Sequence, residues 1–177
     1  QKIINLIVGR CRGDRQNLNN ELEKIKSYTQ NKNKVEIQDI LKLTNLAENY
    51  SVSELIDSCL SKNKKKTINV LNENNYSPED CVLIIRTFLM KAKRLLKLCK
   101  EQLRIKNLDA TIATFKPPIF WKDKDIVKQQ IRSWSYNQAE ALTYEVNEIE
   151  LLIKKYPHNS VNILLNFIIS KTSSVNS

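Results

Sequence analysis

SPEDCVLIIRTFLMKAKRLLKLCKEQLRIK, Ser77 to Lys106, has no glycine and no proline after Pro78, and its ends read as the ends of one helix. Ser77 supplies an N-cap hydroxyl, Pro78 fills the first helical position, where no amide proton is needed, and Asp80 places an acid in the first turn. From there Ile85, Phe88, Leu89, Ala92, Leu95, Leu96, Cys99 and Leu103 recur at steps of three and four, the spacing of one apolar stripe on an α-helix. At about 1.5 Å per residue the element spans roughly 45 Å, enough to cross a small domain. Its other side carries Arg86, Lys91, Lys93, Arg94, Lys97, Lys100, Arg104 and Lys106 against the single acid Glu101. The pattern predicts a central helix, buried along one side and strongly basic along the other.

The rest of the chain suits an all-α fold around that helix. Of 177 residues, 41% are hydrophobic, enough for a sizeable core, whereas two glycines and four prolines serve tight turns and sheets poorly. A net charge of +10 points to a polyanionic partner, nucleic acid before membrane. An A/T-rich genome, favouring Lys, Asn and Ile codons, competes as a cause of the total but explains the clustering on one helix less well. No apolar run reaches the length of a membrane span, and no signal peptide is visible. Cys11, Cys59, Cys81 and Cys99 lack any C-x-x-C spacing and His158 is the only histidine, so neither a metal nor a cofactor is predicted. Cys59 and Cys99 fall on apolar faces as small hydrophobes, which fits reduced thiols in a cytoplasm.

In chain order, Ile3, Ile4, Leu6 and Ile7 form a helical pattern that starts at Gln1 without an initiator methionine and closes at Gly9, which predicts a fragment. Asp14 caps a second helix with Leu18, Leu22, Ile25 and Tyr28 on its inner face, and a third follows through Ile37, Ile40, Leu41 and Leu43. Residues 1–48 thus read as a small three-helix domain. After a junction at Asn49 to Ser53, Ser51 and Glu54 fit a capping box opening a fourth helix through Leu55, Ile56, Cys59 and Leu60. Lys62, Lys64, Lys65 and Lys66 read as a solvated turn, with phosphate binding the minority alternative. A fifth helix through Ile68, Val70 and Leu71 leads to the central one. Beyond Lys106 come a short helix, the extended Pro117–Pro118 segment, and a helix through Ile126, Val127, Gln130, Ile131 and the core residue Trp134. Ser135 and Gln138 open the next, with Ala139, Leu142, Val146, Ile149, Leu152 and Ile153 inward. Tyr156 to Asn159 break it, and Val161 to Ile169 form the last. Residues 51–170 thus form a second domain of about six or seven helices, and 171–177 a disordered tail.

No catalytic constellation is legible. Glycines occur only at positions 9 and 13, so no Walker A loop can be written. Glu145 and Glu148 share a helix without the histidines a di-iron site needs, and His158 sits beside a proline with no cysteine or serine partner arrangement in reach by sequence.

Four segments together, GDRQNLNNELEKIKSY (Gly13 to Tyr28), SVSELIDSCLSKNKKKTINVLNE (Ser51 to Glu73), SPEDCVLIIRTFLMKAKRLLKL (Ser77 to Leu98) and EIELLIKKY (Glu148 to Tyr156), resemble the delta subunit of the bacterial DNA polymerase III clamp loader. The likeness covers nearly the whole chain through several moderate matches in order. It implies an AAA+-like subunit whose helical lid would be 1–48 and whose helical collar would be 51–170, the lobe that grips the sliding clamp being missing. Such a fragment would be non-catalytic, a monomer in isolation, and would join gamma/tau and delta-prime type subunits through its collar in the bacterial cytoplasm. The resemblance further implies that Trp121 and Tyr156 present aromatic rings to primer-template DNA, with Lys122, Lys124, Lys154 and Lys155 beside them to neutralise phosphates. The plain alternative places both rings in packing roles. The alternative function is a basic helical RNA-binding or protein-adaptor domain that uses the charged side of the central helix.

Overall fold

The structure, a computed structural model, describes residues 7, 15–29 and 46–172, and all the regular structure among them is helical. The chain divides into two compact units, Gln1–Ser51 and Val52–Ser177. In the first, α1 runs Arg15–Thr29, with Leu18, Ile25 and Tyr28 half-buried as its inner face. Leu22, expected beside them, is exposed, and Glu21 is buried in its place with Lys24 2.9 Å away. The expected Asp14 cap, the helix at 37–43 and the pattern at 1–8 other than Ile7 lie outside the described residues.

Among the described residues seven further helices follow: α2 (Leu46–Leu60), α3 (Lys64–Glu73), α4 (Pro78–Ile105), α5 (Leu108–Thr114), α6 (Lys124–Ser133), α7 (Tyr136–Lys155) and α8 (Ser160–Thr172). Single 3-10 turns at Trp121–Asp123 and Pro157–Asn159 introduce α6 and α8. The division between the units falls inside the expected junction at Asn49 to Ser53, but the helix expected to open there has already begun. Ser51 lies inside α2, and Glu54, its expected capping partner, pairs with Lys66 at 2.9 Å. At the other end α8 runs two residues past the expected boundary, with Thr172 buried and Lys171 paired to Glu145. Residues 173–177 lie outside the described residues.

The α4 helix is the spine of its unit. Ser77 accepts from the Asp80 amide while Asp80 Oδ2 accepts from the Ser77 amide at 2.7 Å, a reciprocal capping box, and Lys106 closes the helix in the left-handed region. Cys81, Ile84, Ile85, Phe88, Ala92, Leu95, Leu98 and Cys99 are buried along it. Antiparallel to it, α7 makes its largest contact: Arg86 meets Glu150 near one end, and the Cys99 thiol donates to the Trp134 carbonyl at the other. Leu142, Val146 and Ile153 fill that interface, α8 closes it with Phe167 tilted against Phe88, and α5 and α6 cover the far half of the spine. Ile149 is half-buried and Leu152 exposed, so the inner face of α7 is narrower than its spacing predicted.

Two members of the α4 pattern change sides. Leu103 continues the apolar stripe but is exposed, because it lies beyond the point where α7 begins. Lys91, expected on the basic face, is buried. Its Nζ lies 2.6 Å from Asp57 Oδ2 and donates to the Ser53 carbonyl and hydroxyl at 3.0 and 2.6 Å. Gln130 donates to the other Asp57 oxygen at 3.2 Å, so one polar cluster ties α2, α4 and α6 together inside the core.

Candidate nucleic-acid interface

Trp121 owes its position to the segment before it. Ile119 is buried and Phe120 half-buried, which fixes the chain after the Lys116–Pro117 cis peptide and leaves the next residue turned outward. The indole is 67% exposed, tilted against Phe120 at 5.9 Å, with Lys122 Nζ 5.2 Å from its centroid. Lys124 is exposed at the start of α6. Asp123 and Asp125 alternate with these two lysines, so this stretch carries no net formal charge.

Tyr156 stands where α7 ends. Its amide still donates to the Leu152 carbonyl at 2.9 Å, but its backbone has left the helix and its ring is 49% exposed. Lys155 Nζ lies 5.4 Å from the ring centroid. Lys154 is committed elsewhere: it donates to Glu150 at 2.6 Å, and that bond, with Arg86 on the same oxygen, holds the Glu150 carboxyl below its usual range. Of the four flanking lysines, therefore, Lys122 and Lys155 sit against aromatic rings, Lys124 projects into solvent and Lys154 is already neutralised. Neither ring serves as core packing. Among the described residues no ring contact joins Trp121 to Tyr156, which different elements carry.

Trp134 is the opposite case, buried as its spacing predicted. Its indole N–H donates to the Leu60 carbonyl at 2.7 Å, and Lys62 Nζ lies 3.8 Å above the ring. Lys62 also donates to the Lys171 carbonyl at 2.7 Å, supplying a cation to the C-terminal end of α8, and burial lowers its pKa. It therefore leaves the solvated lysine run, while Lys64, Lys65 and Lys66 remain exposed. A left-handed backbone at Lys62 (φ 57°) makes this reach possible, and no residue type announces it.

The charge that stays outward on α4 is narrower than the sequence suggested. Arg86 pairs with Glu150 and Arg104 with Glu101, leaving Lys93, Lys97 and Lys100 as an exposed line with no carboxylate partner among the described residues. Their spacing of three to four residues puts successive positions about 4.5 to 6 Å apart along the axis.

Other chemistry has little footing here. Burial pushes the Cys59 thiol up to about 12 and Cys99 up to about 11, which suppresses the nucleophilic thiolate. Among the described residues no group of three His, Cys, Asp or Glu side chains could hold a metal ion. No helix among them is long and apolar enough to cross a membrane. Compared with known protein families, with curated proteins and with solved structures, the chain finds no match.

Proposed function

We propose that the chain is a non-catalytic assembly module of a bacterial DNA polymerase III clamp loader, comprising the lid and collar of a delta-type subunit. The single observation that carries this reading is the state of the two aromatics: Trp121 and Tyr156 both stand in solvent, each with a neighbouring lysine against its ring. An exposed ring and an adjacent cation suit base stacking beside a phosphate, a contact that tolerates any sequence and so any primed site. The all-α architecture around a 28-residue spine is consistent with a collar. In this reading the module works in the bacterial cytoplasm beside gamma/tau and delta-prime type subunits.

Titration of fluorescent primer-template DNA at low and physiological salt tests the reading. Trp121→Ala and Tyr156→Ala are each expected to weaken binding by about fivefold or more, the lower range of one base stack. Unchanged affinity in both variants overturns the stacking assignment. The line Lys93, Lys97 and Lys100 favours the second reading, a basic helical RNA-binding or adaptor domain. A larger loss on Lys97→Glu than on either aromatic variant, with no co-assembly when the folded chain is mixed with loader subunits, selects that reading.

A further inference from the structure

From Cys81 to Lys100, α4 carries six cations and no carboxylate, and packing neutralises only part of that charge. Lys91 is buried against Asp57, and Arg86 meets Glu150, which also holds Lys154. The first acid beyond this run is Glu101, one turn after Lys97, and Arg104 takes it, with Nε at 3.0 Å and Nη2 at 2.7 Å from the same oxygen. On α7, Glu140 accepts from the Tyr136 hydroxyl at 3.1 Å. Lys93, Lys97 and Lys100 are left exposed, and half-buried Arg94 beside them has no carboxylate partner among the described residues either.

Lys93 and Lys100 are separated by about 10 Å of helix, and at about 100° per residue the three lysines fall within an arc of about 60°. The residues α4 buries at this level, Phe88, Ala92, Leu95 and Cys99, lie on the opposite side. Neutralised pairs bracket the line, Arg86–Glu150 before it and Arg104–Glu101 after. Between Lys93 and Arg104 no apolar side chain enters the arc: half-buried Leu96 and exposed Leu103 lie about 40° or more outside it, and Met90 precedes it. That composition chooses among polyanions. Protein interfaces are depleted in lysine and anchored by buried apolar or aromatic side chains. A helix that enters lipid needs a free apolar face, and α4 has its own buried in the core. A phosphate backbone asks only for cations at the right interval. Over about 10 Å of axis each strand of a duplex presents about three phosphates, one for each lysine. Lysine supplies a point charge without a fixed fork, which suits a contact that reads no sequence.

We propose that Lys93, Lys97 and Lys100 form a track for the sugar–phosphate backbone of duplex DNA, independent of base sequence and separate from the aromatic sites. The track deepens the DNA reading and rests on it: the rings stack on bases, while the line holds the duplex by charge alone. The two contributions differ in kind. Each phosphate that a lysine neutralises releases counterions and steepens the fall of log affinity with log salt by about 0.9, whereas a stacked ring neutralises none. Three such contacts give a slope of about −2.7, roughly a fortyfold loss of affinity between 50 and 200 mM salt.

Fluorescence anisotropy of labelled primer-template DNA, in two unrelated base sequences and over about 50 to 200 mM salt, separates the two. Lys93→Gln, Lys97→Gln and Lys100→Gln combined should make the slope shallower by about 2 to 3 in both sequences, and each alone by about 0.9. Trp121→Ala and Tyr156→Ala should lower affinity with the slope unchanged. Urea denaturation confirms that the exposed lysine substitutions leave the fold intact. A slope that the triple variant leaves unchanged overturns the track even where the ring variants weaken binding, and a shallower slope with indifferent rings overturns the stacking assignment alone. Failure of the unsubstituted chain to bind overturns both. Poly-glutamate and phosphatidylserine vesicles serve as competitors. If either displaces the labelled DNA as well as unlabelled duplex does at equal charge, the line serves an acidic protein or a membrane surface and the proposal falls.

Discussion

Lys91 carries a full charge into the core, with side-chain exposures of 7% for it and 3% for Asp57. Such a pair forfeits the hydration of two ions, and its attraction together with the Ser53 and Gln130 hydrogen bonds offsets that loss only while every member is present. Asp57→Leu and Lys91→Met are therefore each expected to destabilise the fold by about 3 to 5 kcal/mol. The double variant removes both charges and should cost far less than the two singles together. Urea denaturation of the four chains closes the cycle, and additive losses would show that the charges are not coupled. The signal for this site was in the sequence: position 91 falls in the buried row of Ile84, Phe88, Leu95 and Leu98, where a lysine demands a buried acid. Which acid answers could not be read, because Asp57 lies 34 positions earlier and only tertiary packing brings it near.

At the scale of the element, local chemistry was the most legible part. Two reciprocal capping boxes open the two longest helices, Ser77 with Asp80 on α4 and Ser135 with Gln138 on α7. Ser77→Ala and Ser135→Ala should each cost about 1 kcal/mol in urea denaturation. Their effects should add to within about 0.5 kcal/mol, because antiparallel packing puts the caps at opposite ends of the pair, with some 18 residues of α4, about 27 Å, between the levels of Cys81 and Cys99. A markedly non-additive double variant would mean that the two starts communicate through the spine. The same kind of motif misled at Ser51 and Glu54, where the helix had already begun at Leu46. A capping box is a pattern of four residues, and nothing within it reports what the preceding turn does. Leu103 misled for the opposite reason: periodicity states which way a side chain points but not whether a neighbour extends far enough to cover it.

For the whole molecule, the buried apolar cluster extends from Val52 to Ile168 and draws on every helix from α2 to α8. The candidate interface is built from what that cluster leaves over. Trp121 is turned out because Ile119 is anchored, Tyr156 because α7 has ended, and Lys93, Lys97 and Lys100 because the opposite side of α4 is occupied. The sequence named the two rings through a resemblance, and their exposure is a property only the packed cluster could decide. If that cluster is sufficient to organise the surface, the segment before α2 is not needed for it. A chain starting at Leu46 should then unfold in one cooperative urea transition, with far-ultraviolet circular dichroism and tryptophan fluorescence coincident. Acrylamide should quench Trp121 readily and Trp134 hardly at all, since the latter is buried and bonded to the Leu60 carbonyl. Non-coincident transitions, or two equally quenched indoles, would mean that the core from Val52 onward does not hold its own surface in place, and with it would go the physical basis for the aromatic sites.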